Sequence, residues 1–275
     1  MAIVSGLVRV MEKAARKAGG RLRRDFGEVE HLQVSRKGPS DFVSKADRAA
    51  ERTIYEELKQ ARPDWGFLLE ESGEVPGAEG KPRFLVDPLD GTSNFLHGIP
   101  HFAISIAVQE PALDGKGWGD VIAGLVYQPI TDESFWAEKN RGAWLHDGRL
   151  RVSARRRLDD ALIATGMPFG GHGDLGEWTA INRAVCPQVA GIRRFGSAAL
   201  DLAYVAAGRY DGFWEHGLGT WDVAAGLLLV REAGGYVTDL SGGETMLETG
   251  DVVAANDKLH RPLLNLIGGA RVAAA

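Results

Sequence analysis

A single cysteine, Cys186, stands among the 275 residues, so no intrachain disulfide can form and the reducing cytoplasm is the natural setting. Its neighbours Ala184, Val185 and Pro187 predict a buried, inert thiol. Long apolar runs are also missing, and no window approaches the length of a membrane span. Residues 1–26 place Arg9, Lys13, Arg16 and Lys17 between Leu7, Val10, Met11, Ala14 and Ala18. That spacing predicts an amphipathic helix and not a signal peptide. There is no basic excess: 32 Lys and Arg against 37 Asp and Glu leave a net charge of −5, which argues against nucleic acid as the main ligand. A small anionic substrate is still compatible, because carboxylates that hold metal ions invert the local charge.

What is present is an ordinary globular balance, 44% hydrophobic and 25% charged residues, without internal repeats or low-complexity tracts. Helical periodicity returns at 45–60, where Ala46, Ala49, Ala50, Ile54 and Leu58 keep a 3.6-residue repeat. Short β-rich runs follow at 67–69, 83–86, 102–108, 121–127 and 133–137. Beyond residue 150 the rhythm changes, with strand-like pieces near 161–165, 192–194, 211–215, 235–238 and 252–254 between helical stretches at 174–185, 197–207, 221–233 and 257–267. Gly166 to Gly176 reads as a surface loop, and Val272 to Ala275 as a frayed end. The expected fold class is a layered α/β arrangement in one domain, 1–275, with an α+β part over about 1–150, an α/β part over about 151–275, and the active site between the two halves.

The most informative stretch is Phe84-Leu85-Val86-Asp87-Pro88-Leu89-Asp90-Gly91-Thr92-Ser93-Asn94-Phe95, a hydrophobic strand that stops where two aspartates bracket a proline. Pro88 stiffens the turn and Gly91 permits a sharp bend. Asp87 and Asp90 can then converge with the Leu89 carbonyl between them, an oxygen set suited to a hard divalent cation. Taken alone, two aspartates in a turn are more often turn and capping residues, here of a short helix starting near Ser93, than metal ligands. Their company matters: Glu70 and Glu71 end a second apolar run, Asp222 opens a helix, and Ser40 to Asp47 form a further acidic cluster. Strand ends and helix starts are where α/β sites assemble.

Together these segments resemble the inositol monophosphatase family of magnesium-dependent, lithium-sensitive phosphatases over nearly the whole chain. Asp87 to Phe95 meets the pattern D-P-[IL]-D-G-T-[TS]-N-[FY], and Trp221 to Gly226 meets W-D-x-A-[AG]-[GA]. Glu70 to Ser72 and the element Asp41 to Asp47 fall in the family's order. Leu69 stands where many members have Gly, Ser44 replaces a commoner Thr, and Ser93 replaces a Thr. The resemblance implies two or three Mg²⁺ per site: Glu70, Asp87 and the Leu89 carbonyl for one ion, Asp87, Asp90 and Asp222 for a second, and Glu70 near a weaker third. It also implies that Thr92 orients the attacking water with Asp47 as proton acceptor, and that the protein is a homodimer.

For the alcohol side, the turn at Gly196, Ser197 and Ala198 resembles a family substrate turn, and Glu215 resembles its hydroxyl-binding acid, with Asp90 contributing. The amides of Gly91 and Thr92 are candidate donors to phosphate oxygens. His97, His101 and His216 lie nearby, but hard Mg²⁺ prefers oxygen ligands. The implied substrate is a small phosphorylated polyol or sugar, inositol 1-phosphate in the first place, since no cluster of arginines near the signatures offers itself to a second phosphate. Fructose 1,6-bisphosphate, histidinol phosphate and a nucleotide 3′-phosphate are the alternatives. A regulatory RNA- or protein-binding descendant of the fold is a further one, using Arg149, Arg151, Arg155, Arg156 and Arg157.

Overall fold

The computed structural model describes residues 4–26, 34–36, 42–114, 116–168 and 173–274; Ser40 and Asp41 of the acidic cluster lie outside them. The chain opens with helix α1 (Gly6–Phe26), a two-stranded antiparallel ribbon of β1 (Val34–Arg36) and β2 (Phe42–Ser44), and helix α2 (Lys45–Ala61). The next eight strands are β3 (Gly66–Leu69), β4 (Gly73–Val75), β5 (Arg83–Asp90), β6 (Ala103–Pro111), β7 (Trp118–Gln128), β8 (Glu133–Glu138), β9 (Gly142–Leu145) and β10 (Gly148–Arg149). They form one sheet in the order β10-β9-β8-β7-β6-β5-β3-β4, and β3 and β5 run parallel. The short helix α3 (Thr92–Leu96) follows β5.

The second half contributes β11 (Leu162–Thr165), α4 (Leu175–Val185), β12 (Gly191–Arg193), α5 (Ala198–Ala206), β13 (Gly212–Glu215), α6 (Thr220–Glu232), β14 (Tyr236–Thr238), α7 (Met246–Thr249), β15 (Val252–Ala255) and α8 (His260–Ala274). Its five strands form a mixed sheet, β12-β11-β13-β15-β14.

Strand alternation sorts the side chains into layers. In the large sheet Phe84, Val86, Ile104, Ile106 and Leu125 face the apolar sides of α1 and α2, while Leu85, Ala103, Ala107 and Ala137 face α5 and α6. The same two helices cover Ala164, Phe213 and Ala254 of the small sheet, whose other face, Ile163, Trp214 and Val253, packs with Ile181 of α4 and with Leu263 and Ile267 of α8. The order is therefore helix, sheet, helix, sheet, helix. Small residues make the central layer close-fitting: a Cβ on Gly124 of β7 would sit 2.9 Å from the Ala225 backbone of α6.

Several expectations need correction. β5 does not stop at Val86. It runs on through Asp90, because the ladder resumes after a bulge: Asp87 pairs with Ser105 and Asp90 with Ala103. Pro88 sits in that irregularity, where its missing N–H costs no ladder bond. Cys186 is exposed, since it begins the turn Cys186–Gln188 after α4, while Val185 is the residue that reaches the core. Helix α8 continues to Ala274, through most of the stretch expected to fray, and Ala275 lies outside the described residues. Leu175 and Gly176 belong to α4 and not to the preceding loop.

Adjacent glycines in α1 test this packing with opposite signs. A Cβ on Gly19 would lie 2.6 Å from the Tyr127 ring, which is buried and donates its hydroxyl to Asp132 at 2.7 Å. Gly20 has nothing within 4 Å. We expect Gly19→Ala to destabilise by about 1–3 kcal/mol through overpacking and Gly20→Ala to stabilise by about 0.5–1 kcal/mol through helix propensity. Urea denaturation of the two variants beside the parent measures both; equal effects would contradict the placement of α1 on β7.

Candidate active site

The bulge in β5 is where the chemistry begins. It lets Asp87 and Asp90, three residues apart, leave the strand on the same side, and the Asp87 Oδ1 accepts from the Leu89 amide at 2.9 Å. Gly91 follows at φ 94°, a left-handed conformation that L side chains rarely adopt. Space forbids a side chain there as well: a Cβ would meet the carbonyl oxygens of His101 at 3.0 Å and Gly196 at 3.3 Å. The first half of the chain touches the second at this glycine.

Two polar stitches hold that contact. Asn94, buried in α3, donates its Nδ2 to the carbonyls of His101 and Phe195, each at 2.7 Å. Asp90 Oδ2 accepts from Ser197 Oγ at 2.6 Å and from the Ala199 amide at 2.8 Å. The second bond uses a backbone donor at the start of α5, where an anion is also favoured by the helix dipole. Asp222 is at once a first-turn residue and a site residue: its Oδ2 accepts from the Gly219 amide at 2.7 Å, while its carboxyl contacts that of Asp87, which also contacts Glu70.

Thr92 stands beside the acids. Its Oγ1 lies 3.0 Å from the Leu89 carbonyl and 3.3 Å from Asp47 Oδ2, so one hydroxyl hydrogen faces two acceptors. Asp47 is buried in the first turn of α2. One of its carboxylate oxygens lies within 4.8 Å of one from Glu70 and one from Glu71, which are equally close to each other. Glu71 belongs to this group although the sequence reading gave it no role. Glu51 supports it, accepting from the Glu71 amide at 2.8 Å and from Ser72 Oγ. The signal for Glu51 was its place one turn after Asp47 on the buried face of α2, among Ala50, Ile54 and Leu58.

Glu70, Asp87, Asp90, Asp222 and Glu215 line one cleft of about 400 Å³, together with Thr92, Gly196, Ser197 and Ala198. All the residues expected at the site thus line it except Asp47, which reaches it through Thr92. Glu215 ends β13 against Gly166, where a Cβ would come within 1.6 Å of its Oε1. Arg194 and His216 are among the other side chains that line the cleft. His97 is absent from the lining. A larger groove, about 930 Å³, lies between α4 and α8; within it Arg271 pairs with Glu177, and Asp174 caps α4.

Crowding of like charges shows in the acidities. Burial, then Asp222, pushes Asp90 up to about 7. Burial, then Glu70, does the same to Asp222, also to about 7. Asp87 is raised well above the usual carboxylate range by burial and then by Glu70, Asp90 and Asp222. Glu215 is pushed to about 8 by burial and by Asp90 and Asp222. Oxygen donors that resist ionising together suit a divalent cation, which supplies the missing positive charge. The donor set fits hard metal ions and contains no soft ligand.

Part of the arginine run weighed as a nucleic-acid surface is engaged within the chain. Arg155 pairs with Asp211 at 3.2 Å, Arg157 with Asp159, and Arg149 lies 5.4 Å from the Trp144 ring centroid. Among the described residues no helix is long and apolar enough to cross a membrane.

Helices and sheets in alternating layers, with an acidic cleft where the first and second halves meet, define a phosphoric monoester hydrolase of the sugar-phosphatase type. The sequence profile of the Inositol monophosphatase family spans residues 4–269. An Inositol-1-monophosphatase of Mesorhizobium japonicum is 55% identical over 263 residues, 96% of either chain. The crystal structure of extragenic suppressor protein suhB from Bartonella henselae matches with a TM-score of 0.90 at 54% identity, covering 96% of this chain and 98% of that one. A Nus factor SuhB of Pseudomonas aeruginosa is 44% identical over 265 residues, 95% of either chain. The chain belongs to the inositol monophosphatase family.

The raised pKa values of these carboxyls fix the sign of a pH effect. Asp90, Asp222 and Glu215 keep protons in the folded chain that the unfolded chain releases near pH 4. Their contribution to stability is therefore complete below about pH 4 and falls away as pH rises through about 7 to 8. A divalent cation held by these carboxylates would replace those protons. Melting temperatures measured from pH 5 to pH 8 in chelator and in excess Mg²⁺ should differ most at pH 8. Taking the difference cancels His101 and His260, whose burial acts in the opposite sense. A gap that does not grow with pH would contradict the acidic cluster as the cation site.

Proposed function

We propose that this protein hydrolyses inositol 1-phosphate to inositol and phosphate with Mg²⁺. The observation that carries the reading is the convergence of Glu70, Asp87, Asp90 and Asp222 on one cleft, with the Thr92 hydroxyl reaching to Asp47 at its edge. In this reading Glu70, Asp87, the Leu89 carbonyl, Asp90 and Asp222 hold two or three Mg²⁺ ions. When bound, the ions supply charge stabilisation for the attacking and leaving oxygens and acidify water.

The chain's own groups do the rest. Thr92 turns its hydroxyl hydrogen from the Leu89 carbonyl to Asp47, leaving an oxygen lone pair to accept from the attacking water. Asp47 then draws the proton away from the cleft along that hydroxyl. The amides of Gly91 and Thr92 donate to the phosphate oxygens. On the alcohol side, Glu215 and the turn at Gly196, Ser197 and Ala198 accept hydrogen bonds from ring hydroxyls, and Asp90 is kept in place by Ser197 and Ala199. The two halves act as one domain, 1–275, in a cytoplasmic homodimer, and a monomer by sedimentation at micromolar concentration would remove the dimer from this proposal. Nucleic acid is no part of it.

Asp90→Asn keeps the shape of the side chain while removing a charge. Its turnover should fall by about 100-fold or more, with a melting temperature close to that of the parent in chelator. Near-normal turnover would reduce Asp90 to a turn residue. Purified protein assayed on inositol 1-phosphate, histidinol phosphate and a nucleotide 3′-phosphate should give the highest kcat/KM on the first, require Mg²⁺, and be inhibited by lithium. Undiminished activity in excess chelator would remove the metal from the mechanism, and a clear preference for the nucleotide would overturn the substrate.

A further inference from the structure

Five carboxylates line the cleft, and among the described residues only one Lys or Arg side chain does so, Arg194. In the sequence it follows Arg193 and belongs to no signature. It follows β12 and precedes the Gly196 turn, and it is exposed. Among the described residues no carboxylate lies within ion-pair distance of its guanidinium. This is unusual for a cation facing so many acids, and it leaves the guanidinium donors open toward the cleft.

The position of that charge is defined. Gly196 has φ +81°, and a Cβ there would fall 2.8 Å from Arg194 Nη1, so the guanidinium folds back over the turn that leads to Ser197 and Ala199. Its field reaches Glu215 and Asp201, whose carboxyls it draws down against their burial. Glu70 lies on the far side of the cluster, toward Asp47 and Glu71. Arg194 thus stands on the alcohol side of the cleft and not on the side of the Asp47–Glu70–Glu71 group.

An alcohol bearing a second anionic group meets Glu215 and Asp90 on that side, and like charge repels it. A planar guanidinium with several donors is the group that offsets such repulsion, and it reads phosphate in bidentate fashion. We propose that Arg194 is a specificity-determining residue that admits phosphate monoesters carrying a second phosphate on the alcohol part, while Glu215 serves neutral hydroxyls. The site then takes both polyol phosphates and sugar bisphosphates, and Arg194 sets the ratio between them. This inference rests on the phosphatase reading above.

A matched pair of substrates tests it, fructose 1-phosphate and fructose 1,6-bisphosphate, which differ only in the distal phosphate. Release of the 1-phosphate is followed for the parent, Arg194→Met and Arg194→Lys, with Mg²⁺ present. The ratio of kcat/KM, bisphosphate over monophosphate, should fall by about 10-fold or more in Arg194→Met, carried by KM. Arg194→Lys, which keeps the charge without the fork, should lie between. An unchanged ratio overturns the inference, including the case where both substrates lose activity alike. A parent that hydrolyses fructose 1-phosphate but not the bisphosphate also overturns it. Failure on every ester would instead bring down the phosphatase reading, and this inference with it.

Discussion

Carboxylates gathered around one point repel one another, and the site's geometry depends on how the fold withstands that repulsion. Two unit charges 4 Å apart at an effective dielectric of about 20 repel by about 4 kcal/mol. The cost is met partly by protons, as the acidities of Asp90 and Asp222 near 7 record, and partly by fixed donors. Asp90 has Ser197 and the Ala199 amide, Asp87 has the Leu89 amide, and Asp222 has the Gly219 amide. Each of these bonds holds a carboxylate in position without neutralising it. The cluster is therefore poised for cations and not collapsed into internal ion pairs.

Those donors come from different parts of the chain, and the central helical layer brings them together. α5 and α6 are packed between the two sheets through alanines and glycines, so their N-termini reach the end of β5. Ser105 Oγ donates to the Trp221 carbonyl at 3.0 Å, tying β6 to the first turn of α6. Asn94 ties α3 to the loop before α5. Loosening of this layer would separate Asp90 from Asp222 before it unfolded either sheet, because the two acids sit on opposite partners of the contact.

The walls of the cleft divide by charge. The acids at the ends of β3 and β5 and at the start of α2 concentrate negative charge toward Glu71, and Arg48 lies 3.5 Å from Glu71 at the outer edge. On the alcohol side a single guanidinium faces Glu215. In the proposed reaction this asymmetry would orient a substrate, its ester phosphate toward the acid-rich end and its remaining groups toward the side where hydroxyl acceptors and one guanidinium are available.

Much of this was legible in the sequence. Periodicity marked α1 and α2, the apolar runs marked the main strands, and the spacing of Asp87, Asp90 and Gly91 marked the site, because a proline, a glycine and two acids after a strand restrict the backbone locally. Glu215 and the Gly196 turn were legible only through the family resemblance. The bulge that extends β5 through Asp90 was not legible, since a bulge is a property of the pairing with β6 and not of β5 alone. Cys186 was misjudged for a similar reason: its neighbours are apolar, but the last turn of α4 points Val185 inward and leaves the thiol outside. Glu51 shows only its buried place one turn after Asp47, and Glu71 and Arg194 carry no mark of function, because the residues that complete the site around the three lie 20 or more positions away. The sequence by itself determined which acids are present and how the backbone bends beside them. Only the tertiary structure decided that α2, β5, α5 and α6 end at one place, because those ends are brought together by two sheets packing on a shared helical layer, which no local stretch encodes.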